Sequence, residues 1–322
     1  MKWKSRDGVG GEVRLYGDDE VRERLDAASC VAAVEEAFRE LGAKEVQAPG
    51  VLSLHTPTGA FHIKAAQSGN YFVAKVNANY PGNPSRGMPT IQGLLALFDS
   101  ANGRLLAVMD SAELTARRTG AATGVAVKYL ASAGPLTVML IGCGRQARSQ
   151  LESVAAVRPI ERVFLCDANE SVAQTLAAGV GAQMPTEVVT LRDLHRFSRQ
   201  SDVVITCTPS REAFLHATSV RAGCLIAAVG ADNPHKQELS PDLLAKSTVV
   251  ADVLEQCVVM GDLHHAIEAG VMTAQEVYGE LGEIVCGQKP GRVAESDVIV
   301  FDSTGFALQD VAAAVLVYRS DQ

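Results

Sequence analysis

Gly142, Gly144 and Ala147 stand at Gly-x-Gly-x-x-Ala spacing in Leu136-Thr-Val-Met-Leu-Ile-Gly-Cys-Gly-Arg-Gln-Ala147, where an apolar run enters a turn without a break. The next apolar run, Val163-Phe-Leu-Cys-Asp167, ends on a carboxylate. Each residue type has a use at its position. Gly142 permits the tight turn, Gly144 lets main chain approach a pyrophosphate, and small Ala147 lets the following helix press on the strand. Arg145 and Gln146 complete the turn, and the helix after them offers free N–H groups to phosphates. Asp167 stands where a ribose 2′-hydroxyl would be received, and its charge favours NAD over a 2′-phosphorylated dinucleotide.

Four other charged residues could act on a small molecule. Lys75 interrupts an apolar strand, and Arg118 lies in the small-residue run Leu114-Thr-Ala-Arg-Arg-Thr-Gly120. Read singly, the first is a snorkelling lysine and the second a solvated helix face. Read together in one cleft, they seat a carboxylate, arginine giving the fork and lysine a point charge. Asp232 follows the strand 225–229 in Gly230-Ala-Asp-Asn-Pro-His-Lys236, at the rim where doubly wound sheets bind ligands. It is either a turn cap or a carboxylate that takes a proton from an ammonium or a water. Lys236 either holds it or is surface. Thr208 and Pro209 in Thr206-Cys-Thr-Pro-Ser210 line a cofactor or form a polar turn, and Val229 and Ser303 join the expected cofactor set.

The patterning around these residues predicts two domains. Helical periodicity over 19–42 (Val21, Leu25, Val31, Val34, Phe38) precedes strand signals at 61–66, 71–77 and 92–99, with a hairpin turn at Asp99-Ser-Ala-Asn-Gly103. This front section reads as an antiparallel α+β unit. A helix from Ser111 to Ala131 follows. Strand candidates at 137–141, 163–165, 203–206, 225–229 and 248–251 then alternate with helices, the pattern of a Rossmann-type doubly wound parallel sheet. The tail from Val298 reads as strand, glycine turn and a helix to about Tyr318 that returns to the front domain. The expected division is 1–130 with 296–322 for substrate binding and dimerisation, and 131–295 for NAD.

Bulk properties narrow the function. A chain of 322 residues that is 47% hydrophobic and 20% charged has enough apolar content for two cores. A formal charge of −8 without a basic stripe argues against nucleic acid and leaves small molecules as the partner class. Seven scattered Cys without a C-x-x-C pair read as buried reduced thiols of a cytoplasmic protein, and the polar opening Met1-Lys-Trp-Lys-Ser-Arg-Asp7 does not read as a secretory signal. No apolar run is long enough to span a membrane. A metal is not expected, because the His residues lack ligand spacing and adjacent His264 and His265 would point to different faces of a helix.

Met109-Asp-Ser-Ala-Glu-Leu-Thr-Ala-Arg-Arg-Thr-Gly120, Ile141-Gly-Cys-Gly-Arg-Gln-Ala147, Gly230-Ala-Asp-Asn-Pro-His-Lys-Gln-Glu-Leu239 and Phe301-Asp-Ser-Thr-Gly-Phe-Ala-Leu-Gln-Asp310 together resemble the ornithine cyclodeaminase/mu-crystallin family over nearly the whole chain. The resemblance implies a homodimer formed by the front domain, and hydride transfer at an amino-acid α-carbon. It implies Lys75 and Arg118 as carboxylate binders, Thr90 as a substrate-pocket residue, Asp232 as acid/base with Lys236 beside it, and Gly305 near the nicotinamide. Two positions depart from the cyclodeaminase pattern. Val51 replaces a further carboxylate-binding arginine, and His62, with Lys64 close by, replaces a pocket glutamate. A distal ammonium needs an anion there, so the expectation is NAD(H)-linked reduction of a small imino or keto acid, with iminosuccinate, pyruvate plus ammonia and cyclic ketimines as candidates. Cyclodeamination of ornithine to proline and a non-catalytic ligand-binding role of mu-crystallin type are the alternatives.

Overall fold

Alternating apolar and polar residues between 51 and 110 build antiparallel strands with one covered face. The computed structural model describes residues 2–3, 12–44, 46 and 51–321. Two compact units result, Met1–Arg118 with Phe306–Gln322, and Thr119–Gly305.

The first unit contains β1 (Lys2–Trp3), β2 (Val13–Tyr16), α1 (Asp18–Arg24), α2 (Ala27–Gly42), β3 (Val51–Thr56), β4 (Gly59–Ser68), β5 (Tyr71–Asn79), β6 (Ile91–Asp99), β7 (Leu105–Asp110) and the start of α3 (Ser111–Leu130). Its sheet runs β1-β2-β7-β6-β5-β4-β3, antiparallel except for the parallel β2–β7 pair. The helix expected over 19–42 is two helices. The chain leaves helical geometry at Leu25, and Asp26, in extended conformation, accepts the Ser29 N–H and caps the second. Asp110 starts α3 in the same way, accepting the Ala112 N–H at 2.8 Å.

The second unit continues with β8 (Leu136–Ile141), α4 (Ala147–Val157), β9 (Ile160–Cys166), α5 (Glu170–Val180), β10 (Thr186–Val188), α6 (Leu194–Ser198), β11 (Val203–Thr206), β12 (Leu225–Ala228), α7 (Pro241–Leu244), β13 (Thr248–Ala251), α8 (Leu254–Cys257), α9 (Asp262–Glu268), β14 (Gly279–Glu280), α10 (Leu281–Val285) and β15 (Ile299–Asp302). The chain then returns to the first unit in α11 (Ala307–Arg319). All strand pairs in the order β10-β9-β8-β11-β12-β15-β13-β14 are parallel. The order reverses between β8 and β11, so the ligand crevice of such a sheet lies beyond the C-terminal ends of those two strands.

The unit boundaries differ from those read off the sequence. Residues 296–305 belong with the parallel sheet, because β15 is bonded to β12 on one side and β13 on the other and buries all four residues. The first boundary falls inside α3, at Arg118/Thr119 rather than 130/131. Beyond it α3 runs close to α4, and a Cβ on Gly120 would stand 2.4 Å from the Ser149 carbonyl oxygen.

Candidate active site

In the first unit the β4–β5 register places Lys64 opposite Lys75 and His62 opposite Asn77, so His62, Lys64 and Lys75 project from one sheet face. α11 packs against β4 and β5. The Lys75 ammonium reaches Asp310 on that helix, 2.7 Å from each carboxylate oxygen, and lies 3.5 Å from the Thr115 hydroxyl. Arg118 donates from Nε to Asp310 at 3.1 Å and from Nη1 to Gln309 Oε1 at 2.9 Å. The side chains of Lys75, Arg118 and Asp310 are 3%, 7% and 0% exposed.

Among the described residues, Lys75 and Arg118 share the one carboxylate of Asp310 out of water, and Lys64 lies opposite Lys75 on the neighbouring strand. Burial lowers the Lys75 pKa to about 7 against the pull of Asp310, with Arg118 and Lys64 pushing the same way as burial. Asp310 is held below the usual carboxylate range by Lys75 and Arg118, which outweigh its own desolvation. Such a group is chemically suited to receive a second carboxylate. His62 is half-buried and its Nδ1 lies 2.9 Å from the Ser53 hydroxyl. The main-chain carbonyl of Thr90 accepts the Tyr80 N–H at 2.8 Å and closes the loop before β6. Of the segment holding Val51, residues 47–50 lie outside the described residues, and Val51 opens β3.

In the second unit the glycine loop joins β8 to α4. Gly142 has φ +95°, and a Cβ there would stand 2.7 Å from the Cys207 carbonyl oxygen, so the loops after β8 and β11 touch only because this residue is glycine. A Cβ on Gly144 would meet nothing within 4 Å, which leaves main chain open to an approaching group. Gln146 is the N-cap of α4 without a side-chain cap bond, Arg145 is exposed in the turn, and Ala147 is fully buried. Asp167 accepts the Cys143 N–H and the Asn169 N–H, both at 2.8 Å, which fixes its carboxylate beside the loop. A cavity of 350 Å³ opens there, with Cys143, Arg148, Ser171 and Thr175 in its lining. The open loop, uncapped helix and fixed acid fit a dinucleotide.

The rim of this sheet carries the remaining residues. Asp232 is 43% exposed, and Lys236 Nζ donates to its Oδ1 at 2.8 Å and to the Gly230 carbonyl at 3.2 Å. The Thr208 hydroxyl accepts the Ser210 N–H, Pro209 is exposed, and Val229 is buried. Ser303 and Gly305 both donate to Asp252, the hydroxyl at 3.0 Å and the main-chain N–H at 2.6 Å. The seven cysteines are free thiols, but Cys207 and Cys286 are only half-buried.

One expectation is corrected outright. His264 and His265 do not diverge: their ring centroids are 5.2 Å apart, and together with Glu268 they bring ligand-type atoms within 4.8 Å of one another. The short α9 lets each ring turn toward a main-chain carbonyl, His264 Nδ1 to Val258 and His265 Nε2 to Lys236. Sequence reading also missed Asp310, the hub of the cationic group. A signal existed, since Gln309-Asp310 interrupts the otherwise apolar run Ala307-Leu-Gln-Asp-Val-Ala-Ala-Ala-Val.

Comparison with known proteins identifies the family and the fold. The model of the ornithine cyclodeaminase/mu-crystallin family matches residues 14–322. The alanine dehydrogenase of Archaeoglobus fulgidus is 36% identical over 315 residues, covering 96% of this chain and 95% of its own. The solved NAD-bound dimer of an archaeal alanine dehydrogenase superposes with a TM-score of 0.91 at 36% identity over 95% of both chains. The Thermococcus litoralis Δ1-pyrroline-2-carboxylate reductase, solved with NADH and L-proline, gives 0.90 at 29% identity over 95% of this chain and 97% of its own. The iminosuccinate reductase of Paracoccus denitrificans, solved with NAD+, gives 0.86 at 30% identity over 95% of each chain. No helix among the described residues is long and apolar enough to cross a membrane. With a family model spanning all but its first residues, this chain belongs to the ornithine cyclodeaminase/mu-crystallin family.

Proposed function

We propose that this protein is an NADH-dependent reductase of small 2-imino acids, producing L-amino acids. The observation that carries the reading is the buried excess of positive charge at Lys75, Arg118 and Asp310, together with a dinucleotide seat in the second unit. Lys75 and Arg118 hold the substrate carboxylate, and Asp310 keeps both cations in register. Holding the acid in one orientation is the chief contribution of these residues, because it removes the entropy of alignment from the chemical step. NADH, when bound, supplies the hydride that reduces the imine carbon. Asp232, steadied by Lys236, moves the proton at the amine nitrogen. The archaeal alanine dehydrogenase, iminosuccinate reductase and pyrroline-carboxylate reductase relatives support net reduction.

Cyclodeamination fits less well. A diamino acid brings a second ammonium, and the sheet face that carries Lys75 also presents Lys64 and His62. Lys64 on that face favours an acidic side chain, which puts iminosuccinate first among candidates.

The opposite face of the sheet supports a homodimer. Leu52 and Leu54 on β3, Phe61 on β4, Phe72 on β5 and Leu94 on β6 share that face by register, and Leu52 and Leu54 are 57% and 54% exposed. A contiguous apolar face of this kind marks a protein interface, and the occupant we assign to it is a second copy, since the archaeal relative was solved as a dimer. Free thiols throughout the chain suit a reducing, cytoplasmic compartment.

The test is loss of reduced nicotinamide absorbance with iminosuccinate, cyclic ketimines, or 2-oxo acids plus ammonia, beside ammonia release from ornithine with catalytic NAD. Steady NADH consumption is the expected result, and Asp232→Asn should bind NADH without turning over. Ammonia release from ornithine without NADH accumulation would establish the cyclodeaminase, and silence in both arms would leave a binding protein.

A further inference from the structure

Glu238 is fully buried in the second unit and has no part in the chemistry described above. Its Oε1 accepts the Thr208 N–H at 2.6 Å, and its Oε2 accepts the Thr206 hydroxyl at 2.7 Å and the Gly230 N–H at 2.9 Å. Thr206 ends β11 and Thr208 follows it, whereas Gly230 opens the loop after β12 that carries Asp232 and Lys236. One carboxylate therefore bonds two neighbouring loops at the ligand-binding edge of the sheet.

The main chain of Glu238 is anchored as firmly as its side chain. Asp262 accepts the N–H groups of Glu238 at 2.7 Å and Leu239 at 2.8 Å, and Asp302 in turn accepts those of Asp262 at 3.3 Å and Leu263 at 2.9 Å. This chain of acceptors runs from β15 through α9 to the loop.

We propose that Glu238 is a positioning residue for the dinucleotide seat, its carboxylate fixing the spacing between Thr208 and the Gly230–Asp232 loop so that both meet the cofactor. The inference rests on the NADH reading and deepens it. Three polar groups converge on the two oxygens, two of them main-chain N–H donors that need an acceptor there. Burial leaves its pKa raised, although the hydrogen bonds from Thr208, Thr206 and Gly230 act in the opposite direction. The residue type at position 230 follows from the same contact. A Cβ there would stand 2.5 Å from the Glu238 carboxyl carbon and from each of its oxygens, so glycine is required by the carboxylate and not by backbone conformation.

The experiment measures KM for NADH and kcat at saturating NADH in the full-length protein. Glu238→Gln keeps the shape but turns an amide N–H2 toward main-chain donors. It should raise KM for NADH by about tenfold or more, the cost of an unsatisfied buried donor. Saturating NADH should recover most of kcat, because Lys236 still holds Asp232 and Glu238 itself bonds neither of them, so the loss falls chiefly on KM for NADH. Gly230→Ala leaves all three donors and the carboxylate in place but displaces the contact, and it reports on the proposal even if the glutamine variant does not fold. It should raise KM for NADH in the same way, and the double variant should be no worse than the worse single one. An unchanged KM with only a lower melting temperature or a smaller active fraction would overturn the proposal, as would fully additive effects. A wild type that binds no NADH would remove the dinucleotide reading itself, a result distinct from either.

Discussion

The Lys75 ammonium and the Asp310 carboxylate meet 2.7 Å apart across 235 residues of sequence, one on a central strand of the first unit and the other on its last helix. The pair, with Arg118, puts three charges where desolvation is expensive, and such an arrangement stabilises a fold poorly compared with apolar packing. Its retention makes sense as a receptor for an anion. Asp310→Asn should strand two buried cations and cost about 3–5 kcal/mol of stability. Denaturant unfolding monitored by circular dichroism checks this, and an unchanged midpoint would show that the three groups do not depend on one another.

The pH dependence follows from Lys75. Its pKa falls from 10.5 to about 7 on folding, so the folded chain loses this proton earlier than the unfolded one. Between those values the unfolded state binds more protons, and this group's contribution makes stability rise with pH across the window. Function runs the other way. Carboxylate binding needs the ammonium, so kcat/KM for the imino acid should hold below about pH 7 and decline as pH rises through it. In Lys75→Arg the guanidinium does not titrate in this range, and the decline should vanish. The same break in both proteins would assign the limb to another group.

Asp167 makes two bonds to main chain, one of them to the glycine loop at Cys143. Asp167→Ala should weaken NADH binding and reduce the preference for NADH over NADPH, since both the hydroxyl acceptor and the repulsive charge are lost. Fluorescence titration with the two cofactors measures it. A wild type that prefers NADPH would contradict the assignment.

The apolar face bearing Leu52, Leu54 and Leu94 predicts the assembly. Leu54→Asp places a charge on that face without touching the Lys75 side of the sheet, and it should convert the dimer to monomer in light scattering. A variant that stays dimeric would move the interface elsewhere.

Much of this architecture was legible in the sequence because its signals are local. The glycine turn, the carboxylate just after β9 and the largely apolar runs of β11 and β13 are set by neighbours a few residues away. The break at Leu25–Asp26 was hidden because apolar spacing continues across it, and only the Asp26 cap separates the helices. Short, partly exposed β10 gives too few alternations to register. The functional groups were legible singly but not in their pairings. Lys75 and Arg118 stand out as misplaced charges, whereas Asp310 acquires its meaning only when α11 returns to β5. Glu238 likewise looks like an ordinary loop glutamate until β11 and β12 lie side by side.

The central claim is that Lys75, Arg118 and Asp310 form a seat for a substrate carboxylate. The most direct measurement compares kcat/KM for an imino acid with that for the same imine lacking its carboxylate, for example 1-pyrroline-2-carboxylate against 1-pyrroline, in wild type and in Lys75→Met. Wild type should prefer the acid by about a hundredfold or more, in keeping with the worth of a buried charge pair, and Lys75→Met should lose most of that preference. Equal use of the two imines by wild type, or an undiminished preference in Lys75→Met, would contradict the account.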